Sequence, residues 1–193
     1  MEPPLQNSSY FSLTEDVLRD SLADSAIAVR QLDISMPYLG NKLRSEIFSK
    51  TLEVKLAEKL SDKLGYEVTS PKSDNDPDLY YSRLPEGYNA VEIKCASGET
   101  WRGGTYSKRA APTLFVTWEG ENWNSFYVGF LFIRHEEWTT ASANYYAPTI
   151  SKKFLRDRQD REDIIGNITF GFSSSGKENR NQTKINYEEV SDP

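Results

Sequence analysis

The segment Ser73–Cys95 constrains the fold of this chain more than any other stretch of the sequence. It contains two extended runs, 79–81 and 90–95, on either side of residues 84–89, whose proline and glycine favour a turn. Asp78 stands directly before the first run. We therefore predict two short strands that pair antiparallel across the turn, with Asp78 at the open end of the pair.

The second predicted strand has two chemically different faces. Its side chains alternate, so Glu92 and Lys94 point to one face and their apolar neighbours to the other. The apolar residues, which we assign to the core, are Val91, Ile93 and Cys95. In an antiparallel pair, Asp78 can reach the face of Glu92 and Lys94. Two carboxylates and one lysine are therefore expected to converge on one point.

Such a site suits the chemistry of a metal ion and a phosphate. Magnesium prefers oxygen ligands and is usually held by one or two carboxylates together with water and substrate phosphate. Asp78 and Glu92 would supply these carboxylates, and Lys94 would hydrogen-bond the attacking water and offset charge on the phosphorus. The alternative is an ordinary solvent-exposed strand face, where glutamate and lysine are common.

Together these residues resemble the motif of a known family. Pro77-Asp78, thirteen intervening residues and Glu92-Ile93-Lys94 are similar to the PD-(D/E)xK nuclease superfamily, which includes most type II restriction endonucleases. The resemblance covers roughly residues 42–120. It implies a magnesium-dependent endonuclease that cuts double-stranded DNA at a specific short sequence. It also implies metal binding by Asp78, Glu92 and Ile93, and positioning of the nucleophilic water by Lys94.

A long helix is predicted upstream, from about Lys42 to Leu64, with Gly65 as its C-terminal cap. Its predicted apolar side consists of Leu43, Ile47, Val54, Ala57, Leu60 and Leu64. At about 100° per residue, Glu46 and Glu53 also fall on this side. In the superfamily the first core helix often contributes an acid to the metal site, so we assign that role to Glu46 and keep Glu53 as second choice. In the alternative, both glutamates lie at the edge of the apolar side and point to solvent.

Basic residues cluster locally, although the formal net charge of -6 argues against a protein that coats nucleic acid non-specifically. The glycine-containing loop 98–109 follows the predicted catalytic strand, and the helix predicted at 151–163 is rich in lysine and arginine. We predict DNA contacts from both segments, through Arg102, Thr105, Tyr106, Lys108, Arg109, Lys152, Lys153 and Arg156. The alternatives are an ordinary surface loop and a helix face stabilised by i,i+4 ion pairs.

Length and composition limit the other possibilities. The length suits a single domain, 1–193, with the motif core at about 42–134. The chain opens on polar residues and its longest apolar run, 126–133, is too short to span a bilayer, so we expect a cytoplasmic protein without a membrane partner. Cys95 has no second cysteine to pair with and is expected in the core. His135, the single histidine, is expected to be structural.

Further strands are predicted at 66–69, 112–118 and 125–134, and a late hairpin at 164–172 and 183–190. The predicted fold is an α/β domain with a mixed central sheet of about five strands flanked by helices, as in restriction endonucleases.

Double-strand cleavage at a symmetric site favours a homodimer. Two alternative functions are a DNA repair or junction-resolving nuclease, and a DNA-binding module without catalysis. A glycosidase that uses Asp78 and Glu92 is disfavoured, because Lys94 beside the pair has no standard role there.

Overall fold

The computed structural model of this chain describes residues 7–71, 76–103, 110–120, 122–140, 148–158, 166–172 and 177–187. The helices are α1 (Glu15–Ser35), α2 (Asn41–Leu64) and α3 (Lys152–Asp157). The strands are β1 (Val68–Thr69), β2 (Leu79–Tyr81), β3 (Ala90–Ala96), β4 (Thr100–Arg102), β5 (Ala111–Glu119), β6 (Ser125–Ile133), β7 (Thr139–Thr140), β8 (Pro148–Ser151), β9 (Gly166–Thr169) and β10 (Lys184–Tyr187). Short 3-10 helices span His135–Glu137 and Arg180–Gln182.

A mixed sheet forms the centre of the molecule, so the predicted α/β class is confirmed. Its strand order is β1-β2-β3-β5-β6-β9-β10, with β3 and β5 parallel and the other neighbours antiparallel. The described residues give this sheet seven strands, so the prediction of about five was wrong. The short strand β1 extends one edge and the late hairpin β9–β10 extends the other. A second, three-stranded sheet has the order β4-β8-β7.

The central sheet separates two apolar clusters because its long strands alternate their side chains. On β5 and β6, alternate residues such as Leu114 and Phe126 pack against α1 and α2. Their neighbours, such as Phe115 and Tyr127, pack on the opposite side with Trp101 of the small sheet. Both faces of the two strands are therefore covered, which explains why they read as nearly continuous apolar runs.

Helix α2 has nearly the predicted bounds, but its buried side differs from the predicted one. Gly65 ends the helix in the left-handed conformation, with φ of 68°. Phe48 stacks on Phe126, with ring centroids 5.3 Å apart, and fixes the rotation of the helix on the sheet. The side chains buried on this helix are Phe48, Leu52, Glu53, Leu56, Ala57 and Leu60. Leu43 and Val54 are almost half exposed, at 44% and 47%, so their predicted place in the core was wrong.

The strands around the motif agree with the sequence prediction. β2 and β3 pair antiparallel, with Leu79 opposite Val91 and Tyr80 opposite Ala90. The predicted basic helix at 151–163 is described only as the six residues of α3, with Ser151 as its N-cap. The small strands β4, β7 and β8 were not predicted, since each is too short to show a period. No helix in the described ranges is long and apolar enough to cross a membrane.

Candidate active site

The site lies where the pairing of β2 with β3 stops. β2 begins at Leu79, opposite Val91, so the next outward-facing amide of β3 has no strand partner on that edge. Asp78 takes this place: its Oδ2 accepts a hydrogen bond of 2.7 Å from the amide of Ile93. A side-chain carboxylate thus takes the place of the backbone carbonyl that a longer partner strand would offer to this amide. This contact fixes Asp78 beside the strand that carries the rest of the motif.

Glu92 and Lys94 leave β3 on the same side, as its alternation requires. Glu92 is 4% exposed, and its Oε1 forms an ion pair with Lys94 Nζ. Its second oxygen, Oε2, is buried and has no hydrogen-bond partner among the described residues. A buried carboxylate oxygen without a partner is costly. Glu92 therefore has one oxygen available for a further ligand.

Helix α2 contributes a third carboxylate, Glu53, whose side chain is 7% exposed. Lys50, one helical turn before it, contacts Glu53 Oε2 at 2.8 Å. Ser70 donates a hydrogen bond of 3.3 Å to the same oxygen. Glu53 is thus a buried carboxylate in the middle of α2, bound by Lys50 and by Ser70, which follows β1.

The electrostatics of these groups show that they form one cluster. Burial raises the pKa of Glu92 above its ordinary value; Lys94 opposes this rise, whereas Asp78 and Glu53 add to it. Burial also raises the pKa of Glu53, with Lys50 opposing and Asp78 adding. The three carboxylates are therefore near enough to influence one another's charge. We call Glu53, Asp78, Glu92 and Lys94 the carboxylate cluster.

Glu46 does not join the carboxylate cluster. Its side chain is 59% exposed, and its nearest described ion pair is with Lys42 at 3.9 Å. Two helical turns separate it from Glu53, the second choice of the sequence analysis, which is buried. The sequence signal for Glu53 was present, because both glutamates fell on the predicted apolar side. The rotation of α2 about its own axis, with Phe48 against the sheet, could not be predicted from the sequence.

Cys95 follows the motif and packs at the edge of the larger core. Burial raises the pKa of its thiol to about 12, with Ser49 opposing the rise and Glu53 adding to it. A thiol with such a pKa stays protonated at neutral pH and is a poor nucleophile. This agrees with the expected structural role of Cys95.

The predicted DNA-binding residues are distributed over different environments. Arg102 is exposed on β4, and Lys153 and Arg156 are exposed on α3. Lys152 is buried: its Nζ lies 3.2 Å from Glu119 and 4.4 Å above the ring of Tyr127. Its ammonium group is occupied inside the protein and does not face a ligand. The other predicted contacts, Thr105, Tyr106, Lys108 and Arg109, lie outside the described residues, as does the side chain of His135.

The donor set of the carboxylate cluster suits a hard divalent cation. It offers carboxylate oxygens only, and one of them, Glu92 Oε2, is buried without a partner. Among the described residues, no three or more His, Cys, Asp or Glu side chains lie close enough together to hold a metal ion between them. Magnesium does not require three protein ligands, because it usually keeps several waters and binds through one or two carboxylates.

A cleft adjoins the carboxylate cluster, with a volume of about 680 Å³. Its walls come from the first half of α2 and from the segment that joins β3 to β4. Glu46 and Arg102 both line this cleft. One residue that the sequence analysis assigned to catalysis and one that it assigned to DNA binding thus line the same cleft.

Comparison with known proteins gives no relative for this chain. No family model matches it, and neither the curated proteins nor the solved structures contain a significant match.

Proposed function

We propose that this protein is a magnesium-dependent endodeoxyribonuclease of the PD-(D/E)xK type, which hydrolyses phosphodiester bonds of double-stranded DNA at a specific short sequence. One observation carries the proposal. Asp78, bound to the amide of Ile93, lies beside the strand that carries Glu92 and Lys94, and Glu53 of the preceding helix is near enough to raise the pKa of Glu92. The order of these groups along the chain is that of the motif, and DNA inside the cell is its substrate, so the proposed location is the cytoplasm.

Asp78 and Glu92 would hold the metal, and Ile93 can add only a main-chain oxygen because its side chain is apolar. When bound, magnesium lowers the pKa of a coordinated water and stabilises the charge on the phosphate. Glu53 takes the role of the helix acid in place of Glu46. Its burial against two other carboxylates raises the negative potential that attracts a divalent cation.

Lys94 has two tasks in this proposal. In the metal-free protein its ammonium group pairs with Glu92 and partly neutralises the cluster. During hydrolysis it would hydrogen-bond the attacking water and the developing negative charge on the phosphate. Its side chain is 17% exposed, so it reaches the edge of the site and not its interior. An ammonium group at this depth can contact both a water and a substrate oxygen.

The test is cleavage of plasmid DNA in magnesium and in EDTA. Wild-type protein should give discrete fragments in magnesium and intact plasmid in EDTA. Glu92→Gln should lose at least about a hundredfold in rate, since it removes a metal-binding charge. The matched control is Glu58→Gln, an exposed glutamate on α2 outside the cluster, which should cleave like wild type.

Other outcomes point to the alternative functions. Cleavage confined to branched or mismatched DNA would indicate a repair or junction-resolving nuclease. DNA binding without cleavage in any divalent metal would indicate a binding module and would overturn the catalytic assignment.

Cleavage of both strands at a symmetric site further predicts a homodimer, since the carboxylate cluster provides one site per chain. Light scattering on the free protein and on a cognate duplex should give the mass of two chains, about 44 kDa from the chain mass of 22.0 kDa. A single-chain mass in both states would contradict this.

A further inference from the structure

The cleft beside the carboxylate cluster has one wall formed by a continuous stripe of α2. The stripe contains Lys42, Ser45, Glu46, Ser49 and Lys50, whose spacing places them on one helix face. The next residue on the same face is Glu53 of the cluster. The wall therefore ends at Lys50, whose side chain contacts Glu53 of the cluster. At 1.5 Å per residue, the distance along α2 from Lys42 to Glu53 is about 16 Å.

The opposite wall also starts at the cluster. β3 carries Glu92, continues to Ala96, and is followed by β4, which places Thr100 and Arg102 on the cleft. The intervening Trp101 is fully buried, and its Nε1 donates a 2.9 Å hydrogen bond to the carbonyl of Val116. This anchor fixes β4, so Arg102 stands at a defined place across from α2.

The chemistry of the walls distinguishes between ligand classes. Pockets for small organic ligands are lined mainly by apolar and aromatic side chains. This cleft is lined by hydroxyl and charged side chains, except for Cys95, Ala96, Gly98 and the floor residue Trp118. Its cations are Lys42, which lies 3.9 Å from Glu46, Lys50, which is paired with Glu53, and Arg102. Side chains of this kind can contact the phosphates of a solvated nucleic-acid strand.

We infer that this cleft is the track for one strand of the DNA backbone, with Lys42 on α2 and Arg102 on β4 contacting phosphates on opposite sides. The inference rests on the proposed function and adds the helix wall to it. Ser45 and Ser49 provide hydroxyl donors between the two cations. At about 3.4 Å of axial rise per nucleotide, a wall of about 16 Å corresponds to about four or five nucleotides. The strand thus reaches the carboxylate cluster from the N-terminal end of α2.

The experiment is a binding titration with a fluorescently labelled duplex oligonucleotide of mixed sequence, in calcium without magnesium, at several salt concentrations. Lys42→Gln and Arg102→Gln should each weaken binding by about fivefold to tenfold, and each should reduce the salt slope by about 0.9. The matched control is Lys55→Gln, which removes the same charge from α2 outside the cleft. This control removes only one charge distant from the cleft, so the affinity and the salt slope should stay nearly unchanged.

A variant of opposite sign separates a local contact from a general effect. Glu46→Gln removes an acid from the same wall and should tighten binding, whereas Glu58→Gln, an exposed acid of α2 outside the cleft, should not. Both are surface positions, and thermal melting of each variant shows whether the fold is intact.

The outcomes separate the two proposals. Wild-type binding and cleavage with unchanged binding in Lys42→Gln and Arg102→Gln overturn the track and leave the nuclease function standing. Weakened binding in these variants without cleavage by the wild type supports the track and overturns the nuclease function. A wild-type protein that does not bind the duplex at low salt overturns both.

Discussion

Two lysines of this protein lie largely inside it, Lys94 on β3 and Lys152 on α3, and their surroundings differ in charge. Lys94 pairs with Glu92, which is itself buried and lies near Asp78 and Glu53. Lys152 pairs with Glu119, whose side chain is 57% exposed, and packs over Tyr127. The first lysine meets an excess of negative charge. The second meets one solvated carboxylate and an aromatic ring.

The difference is the one that the proposed function predicts between a structural ion pair and a metal site. At Lys152, one cation, one anion and a ring face are in balance, and the acid can be solvated. At the cluster, two ammonium groups, Lys94 on Glu92 and Lys50 on Glu53, face three buried or half-buried carboxylates, so negative charge remains in excess and the cluster has unfavourable self-energy in the absence of a further cation. A divalent metal ion would supply the missing positive charge.

The largest expected effect is on catalysis. Lys94→Ala should reduce the rate of DNA cleavage by about 10²- to 10⁴-fold while leaving duplex binding in calcium nearly unchanged, because the ammonium group acts mainly on the transition state. Lys152→Ala should leave the cleavage rate of the folded protein within about threefold and instead lower the free energy of unfolding by about 1–2 kcal/mol. Single-turnover cleavage and urea unfolding measure the two quantities.

This pair of variants can break the comparison in either direction. Full cleavage by Lys94→Ala would remove the lysine from the mechanism. A large loss of cleavage in folded Lys152→Ala would place the functional lysine on α3.

The second effect is the stabilisation of the protein by a metal ion. Calcium at a hundredfold excess over its dissociation constant should stabilise the wild-type protein by about 2.7 kcal/mol, or about 6–10 °C in Tm. Glu92→Gln and Asp78→Asn should lose most of this shift, because each removes a carboxylate from the cluster. Glu119→Gln should keep it, because its carboxylate lies outside the cluster. Differential scanning fluorimetry with and without calcium is sufficient, and an equal shift in all four proteins would place the ion elsewhere.

Much of the fold was predictable because local patterns determine it. The alternation of β3, the apolar runs of β5 and β6 and the glycine that ends α2 depend on short-range chemistry. The rotation of α2 did not follow from its own sequence, because the helix carries apolar residues around most of its circumference. Stacking of Phe48 on Phe126, which is distant in the chain, decides which side is buried.

The same tertiary contact explains what was and was not predictable in the site. Asp78, Glu92 and Lys94 lie on two strands joined by a short turn, so their convergence follows from pairing and alternation. The choice between Glu46 and Glu53 depended on the rotation of α2, and the burial of Lys152 depended on the long-range approach of α3 to Tyr127. Neither contact leaves a local pattern in the sequence.

The smallest expected effect tests the excess charge directly, without metal or DNA. Burial raises the pKa of Glu53 in the folded protein above its ordinary value of about 4.5, so its stabilising contribution is complete below that value and is lost as the pH rises through the folded-state pKa. Glu53→Gln removes this loss and keeps hydrogen-bonding atoms for Lys50 and Ser70. In EDTA at neutral pH, the variant should therefore be more stable than wild type by about 1 kcal/mol, or about 2–4 °C in Tm. The stability advantage of Glu53→Gln should disappear as the pH falls towards 4.5, where the wild-type carboxyl takes up a proton.

The control Glu119→Gln should instead lower the free energy of unfolding, by up to about 1 kcal/mol at neutral pH, because it removes the ion-pair partner of Lys152. Urea unfolding of the three proteins across this pH range measures the differences, and a Glu53→Gln protein less stable than wild type in EDTA would show that the cluster carries no excess of negative charge.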